Sequence, residues 1–288
     1  MNKTNARLLL AAVFMARGTS FLFSKTLLRD LTPMGILAVR FVCAFLVLGA
    51  LFHRKLLRCS RASLRGGIIL GVLYTVCMAF EMYGLRLVDT GVSALIENMA
   101  IVLVPIFTAI TAHAWPNRKT MVCAALAVIG VGFLSRTQGH SPNAALGILL
   151  VVLAAVTYAF CILATERVSR DGDPVAIGIV QLGTMGALSL AASLCMGGFS
   201  LPQTGHQWPM MMLLVLLCSC FGFAFQPLGQ KYLPAEEAAV LTVLNPVTAS
   251  VMGILIAGES MSVSKAIGYL LILIALVLYN LHASRRAS

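Results

Sequence analysis

Ten long apolar runs divide this chain, at about 8–28, 33–52, 67–86, 91–112, 118–135, 146–165, 174–196, 209–230, 236–257 and 264–282, parted by short segments with Pro, Gly, Asn or charge. A helix needs about 20 apolar residues to cross a bilayer. Ten such helices use up most of the 288 residues, and the longest connections, around Arg136 to Ala145 and Gly197 to Trp208, are too short for a catalytic domain. The chain is 59% hydrophobic and 11% charged, with a mean hydropathy of +0.93, whereas a soluble domain carries roughly 25% charged residues. The expected fold class is therefore an all-α integral membrane protein of about ten transmembrane helices. The apolar run after Arg7 reaches about Leu28 with no small-residue cleavage site behind it, so it reads as the first span rather than a signal peptide.

The net charge of +11 would suggest nucleic acid in a soluble protein, but here the basic residues sit in short loops, where they set orientation and point to no nucleic-acid partner. Alternate loops are unequal. One set holds Lys3, Arg7, Arg54, Lys55, Arg58, Arg61, Arg65, Arg118, Lys119, Arg167, Arg170, Lys231, Arg285 and Arg286; the other holds Arg29, Arg86, Arg136 and Lys265. Both termini are then cytoplasmic, which requires an even number of spans, in a bacterial-type plasma (inner) membrane. Seven of the eight cysteines fall inside apolar runs, and Cys218-Ser219-Cys220 lacks the spacing of a zinc pair. No metal, cofactor or disulfide framework is expected.

The halves echo each other. Leu10-Ala11-Ala12-Val13 returns 143 residues later as Leu153-Ala154-Ala155-Val156, and Pro105 in LVPIFTAI precedes Pro246 in LNPVTASV by 141. Two five-span halves, 1–140 and 141–288, must enter the membrane in opposite senses, the inverted repeat of secondary carriers whose site lies near the midplane.

The segment AAVFMARGTSFLFSK at 11–25, LAVRF at 37–41, the two prolines and AGESMSVSKAIGYLLILIALVL with Glu259 and Gly268 resemble the EamA-type ten-helix permeases of the drug/metabolite transporter superfamily. The family usually has Trp-Gly where this chain has Arg17-Gly18. The resemblance implies two five-helix EamA-like repeats and a proton- or gradient-coupled carrier, often an exporter of amino acids, metabolites or toxic compounds, working by alternating access.

Ionisable side chains within spans cost roughly 2.5 to 3.5 kcal/mol each at a helix centre, so those present need a reason. At 1.5 Å per residue, Glu81 and Glu97 lie about 9 Å below the outer face, Arg40 about 12 Å, Arg17 about 16 Å and Lys25 about 4 to 7 Å. Opposite charges at matched depth can pair across the bundle. Glu97 is the leading candidate to couple proton movement to solute binding or to hold a solute cation; its structural alternative is an ion pair with Arg17 or Arg40. Glu81 reads as a pore-mouth or structural acid. Arg17, on a stripe with Phe14, Phe21 and Ser24, either faces an anionic or zwitterionic solute or pairs with Glu97. Arg40 reads chiefly as structural, and Lys25 as snorkelling to the interface. Tyr158, Gln226 and Asn245 are candidate cavity-lining groups, with plain interhelical bonding as the alternative. Pro105 and Pro246 mark candidate helix breaks. Gly67-x-x-x-Gly71 reads as a close helix approach.

No G-x-x-x-x-G-K-[ST], H-E-x-x-H or G-x-S-x-G occurs, which argues against an ATP-driven pump and an intramembrane enzyme. The favoured reading is a secondary active transporter of a small organic solute, an amino acid or similar metabolite moving outward, with protons as the coupling ion. The partners are then that solute and the lipid bilayer, with the chain a monomer or homodimer. The alternative is a membrane scaffold, assembly or lipid-handling protein with no solute transport.

Overall fold

A computed structural model describes residues 1–111, 113, 118–137, 143–256, 258 and 262–287. Glu259 and the side chains of Lys119, Arg136, Arg285 and Arg286 lie outside the described set. Among the described residues every regular element is helical: α1 (Lys3–Leu27), α2 (Pro33–Leu51), α3 (His53–Leu57), α4 (Arg61–Leu87), α5 (Thr90–Glu97), α6 (Ala100–Thr111), α7 (Arg118–Thr137), α8 (Ala144–Asp171), α9 (Pro174–Cys195), α10 (Gln207–Leu213), a π-helical stretch (Leu214–Phe223), α11 (Ala224–Gln230), α12 (Ala235–Leu241), α13 (Leu244–Leu255) and α14 (Val263–Ala287).

Helix starts follow local chemistry. Thr32 and Asp173 cap α2 and α9, accepting from the backbone N–H of Gly35 at 3.2 Å and Val175 at 2.9 Å. Each is followed by a proline in the first turn, where its missing N–H costs nothing and its φ is already helical. Ser60 caps α4 in the same way through Ser63 at 3.1 Å.

Eight segments are long and apolar enough to cross a membrane: α1, α2, α4, α5 with α6, α8, α9, the run from α10 through α11, and Glu237–Leu255 of α12 and α13. α7 and α14 contribute the shorter apolar stretches Met121–Val131 and Val263–Ala275. Between 39% and 61% of each span's most apolar window is buried inside the protein, so the rest of an equally apolar surface faces outward. Leu46, Ile69, Leu149, Leu216 and Val251 are among the exposed large side chains. Water would penalise a belt of that kind and lipid does not. The chain is a multi-pass helical membrane protein.

Inside the belt α4 packs on α8 and α9, α2 on α9, α7 on α14, and α1 on α13 and the π-helical stretch, while α5 and α6 lean on α8. Small residues set these approaches. A Cβ on Gly67 would meet Val180 at 2.5 Å, and one on Gly71 would meet Thr184 at 2.4 Å, so this glycine pair seats α4 against α9 within the chain.

The fourth and ninth segments are both interrupted, and in both the break precedes the proline. α5 ends at Glu97 and α6 begins at Ala100; α12 ends at Leu241 and α13 begins at Leu244. The first junction is bridged by tight three-residue turns, with Ile101 N–H donating to Asn98 O at 3.1 Å and Val102 N–H to Met99 O at 2.9 Å. Pro105 lies inside α6, well beyond that junction. Pro246 lies in the first turn of α13, where it withholds the N–H that Thr242 O would accept in a continuous helix.

Candidate functional site

The buried charges meet in the middle of the bundle. Gly18 brings α1 against α13, because a Cβ there would lie 2.7 Å from Asn245 O. Arg17, next in sequence, points instead into the space between α4, α8, the π-helical stretch and α11. Its Nη1 donates to Tyr158 Oη at 3.1 Å and to Gln226 Oε1 at 2.7 Å. Its guanidinium lies 4.1 Å from the Phe223 ring centroid, 5.0 Å from that of Tyr158 and 5.8 Å from that of Tyr74. Hydrogen bonds to a charged group contribute about 1.5–3 kcal/mol and a desolvated cation over an aromatic face about 2, so this cation is well held without water. Gly222 makes the room: a Cβ there would sit 2.8 Å from Arg17 Cγ.

The network continues along α11. Gln226 Nε2 donates to Gln230 Oε1 at 3.0 Å, and Gln230 Nε2 to the Ile162 carbonyl at 3.4 Å. Across the Phe223 ring stands Arg40, fully buried on α2, with Nε donating to Ser219 Oγ at 2.6 Å and the ring centroid 5.5 Å from its guanidinium. Phe223 therefore separates two cations, and Phe41 and Tyr74 hold it edge-on at 5.6 and 5.4 Å between centroids.

The acids face the same space. Glu81 and Glu97 are both buried and act on each other electrostatically, and Arg17 acts on both. Arg40 acts on Glu81 in the same way. Glu97 is the last residue of α5, at the helix interruption, and its Oε2 is buried without a hydrogen-bond partner. The next residue, Asn98, turns its side-chain amide back onto Ala94 O at 2.8 Å and leaves its own Oδ1 unmet. The site is thus a sealed quartet of two arginines and two glutamates, walled by aromatic rings and bounded by a broken helix.

The sequence matches the EamA-like transporter family twice, over residues 5–136 and again over 145–281. The chain belongs to the EamA-like transporter family. An uncharacterized transporter of Archaeoglobus fulgidus is 24% identical over 278 residues, spanning 94% of this chain and 84% of that relative. A protein of known crystal structure, 18% identical, superposes with a TM-score of 0.72 over 99% of this chain and all of its own, so the fold recurs beyond close sequence similarity. The family and the Archaeoglobus fulgidus relative both carry transporter names.

In this EamA-like chain Arg17, Arg40, Glu81, Glu97, Tyr158 and Gln226 converge. Asn245 does so only through its backbone, which touches Gly18; its side-chain Oδ1 is buried and unmet. Among the described residues, Pro105 and Pro246 make no hydrogen bond to the charged groups. Lys25 Nζ donates to the carbonyls of Leu85 and Val88, each at 2.7 Å, at the C-terminal end of α4, where the last carbonyls of a helix favour a cation. Lys265, counted among loop charges, is buried and pairs with Asp89 at 2.9 Å. Sequence reasoning missed Phe223 and Ser219, which lie in the uniformly apolar LVLLCSCFGF segment. It also missed Gln230, although two glutamines four apart in an apolar run were a legible sign of a polar face.

Proposed function

We propose that this protein is a secondary active carrier of about ten spans, built as two inverted five-helix repeats at 1–140 and 141–288, which exports an amino acid or similar zwitterionic metabolite in exchange for protons. One observation carries the reading: Arg17 of the first half is held by Tyr158 and Gln226 of the second, so a fixed charge spans the seam between the halves. Supporting it, α1 packs on α13 as α8 packs on α5 and α6, the exchange of partners that two repeats related by inversion produce. Both termini would lie in the cytoplasm of a bacterial-type cell, by the loop charges.

The coupling chemistry lies in the carboxyl pair. Two buried carboxyls that act on each other share one proton readily and hold two negative charges with difficulty. With one proton aboard, the quartet carries +1; with both acids ionised it is neutral. A solute ammonium entering between Glu81 and Glu97 takes the place of that proton, so loading solute and loading proton exclude each other. Arg17 stays charged throughout and keeps the vacated pair from drawing in a metal cation. Alternating access then turns mutual exclusion into exchange.

Purified protein in liposomes should show counterflow of a radiolabelled amino acid from a mixed panel, with proton movement in the opposite direction. Glu97→Gln should keep binding measurable, lose proton coupling and flatten the pH profile of exchange. Unchanged pH dependence in Glu97→Gln would remove that residue from coupling, and absence of counterflow for every solute in a well-folded sample would sink the carrier reading.

A further inference from the structure

Arg17 and Arg40 are equally deep and differently satisfied. Arg17 has a double acceptor set on Nη1 and three rings around it. Arg40 is 0% exposed and, among the described residues, is tied only at Nε and finds no acceptor for Nη1 or Nη2. Cys218, Glu81 and Arg17 act on it electrostatically without a hydrogen bond to either nitrogen, and the rings of Phe41 and Phe223 have centroids at 5.1 and 5.5 Å. A buried donor left unmet is destabilising, and more so on a charged group. The fold therefore holds a fork of two donors whose plane Ser219 fixes and whose acceptors have to come from elsewhere.

A guanidinium edge with two free N–H groups matches a carboxylate, which accepts two parallel bonds in the same plane. We infer that Arg40, rather than Arg17, receives the solute's carboxylate on Nη1 and Nη2, with the ring of Phe223 shielding that anion from the Arg17 side. The assignment rests on the carrier reading of the same site and sharpens it. An α-amino acid carries its two charges on one carbon, so its ammonium reaches Glu81 while its carboxylate occupies Arg40. Arg17 becomes the positioning residue that holds Phe223, Tyr158 and Gln226 as a wall. It also explains why a single methylene-rich cation would not serve at position 40: lysine supplies charge but no planar fork.

The smallest probe is acetate, with acetamide as its neutral isostere and chloride as a spherical anion at the same ionic strength. Acetate should raise the apparent unfolding temperature of the purified wild type saturably, and acetamide and chloride should not. The response should weaken about tenfold or more in Arg40→Lys and Arg40→Gln, as loss of one to two charge-assisted hydrogen bonds requires, and persist in Arg17→Lys. A response lost in Arg17→Lys but kept in Arg40→Lys overturns the assignment. So does a wild type that answers acetate, acetamide and chloride alike, or none of them, since water then completes Arg40. The wild-type comparison holds even if a variant fails to fold. Acetate binding at Arg40 without counterflow of any solute would leave this site standing and remove the carrier reading.

Discussion

At the scale of single residues, a missing side chain is as consequential as a charged one. Gly222 admits the Arg17 stem at 2.8 Å from where a Cβ would stand, and packed interiors resist added volume by about 1–3 kcal/mol. Gly222→Val should lower the apparent unfolding temperature and abolish exchange, because Arg17 cannot then reach Gln226. In an Arg17→Ala background the same substitution should be close to neutral for stability, since the clashing atoms are gone; a cycle of the four proteins measures this. Equal destabilisation in both backgrounds would show that Gly222 serves something other than Arg17. The pairing of Gly222 with Gln226 on one face was legible as an i, i+4 relation, as were the depths of Arg17, Arg40, Glu81 and Glu97. The division of labour between the arginines was not. Depth counts ångströms along a helix axis, whereas the acceptors that separate Arg17 from Arg40 come from Tyr158, Gln226 and Ser219, which lie far off in sequence.

At the scale of elements, the candidate site sits where helices stop being regular. Over Leu214–Phe223 the chain adopts a π-helix, which widens the turn and sets Ser219 on Arg40 and Phe223 between the two arginines. No apolar run announces such a register change, and period-based reading passes over it. The interruptions were legible only in part. The prolines signalled the right segments, but the breaks fall at Asn98–Met99 and Thr242–Val243, because Asn98 and Thr242 satisfy local carbonyls with their own side chains. The two prolines therefore differ in what their removal does. Pro246→Ala supplies an N–H for Thr242 O and allows α12 and α13 to fuse, whereas Pro105→Ala only straightens α6 beyond a break it does not cause. Exchange should slow several-fold more in Pro246→Ala than in Pro105→Ala, with unfolding temperatures unchanged or raised in both, since Ala is favoured over Pro by up to about 3 kcal/mol inside a helix. A slower Pro105→Ala would place the working hinge inside α6.

At the scale of the whole molecule, both ends are closed over the quartet, and they are closed by bonds of different strength. At the end carrying the C-terminus of α1, Thr32 Oγ1 donates to Gly198 O at 2.5 Å, Gln207 Nε2 to Asp30 Oδ2 at 2.9 Å, Lys25 grips the end of α4, and Lys265, with only 4% of its side chain exposed, pairs with Asp89. At the basic end the ion pairs Arg7 to Glu237 and Lys55 to Asp173 at 3.3 Å are both substantially exposed, beside part-buried bonds from Lys231 Nζ to Gly172 O at 3.3 Å, from the Ala235 N–H to Glu166 Oε2 at 3.1 Å and from the Asp173 N–H to Ser63 Oγ at 3.0 Å. Exposed ion pairs contribute about 0–1 kcal/mol and weaken with salt, so under the proposed carrier cycle the basic end should open first. Cys218 reports the event, because it is buried beside Arg17, with Sγ donating to Ala16 O at 3.2 Å. In a variant keeping Cys218 as its sole cysteine, a membrane-impermeant maleimide applied to sealed vesicles should label slowly from either side. Glu237→Ala should raise labelling about two- to fivefold from the side exposing the basic end, which the loop charges assign to the cytoplasm, and leave the other side unchanged. Raised ionic strength should mimic the substitution in the parent and add little to it in the variant. A rise from both sides would mean that the substitution loosens the bundle as a whole; a rise from neither would mean that the seal over the quartet lies in the packed helices and not in the ties at their ends.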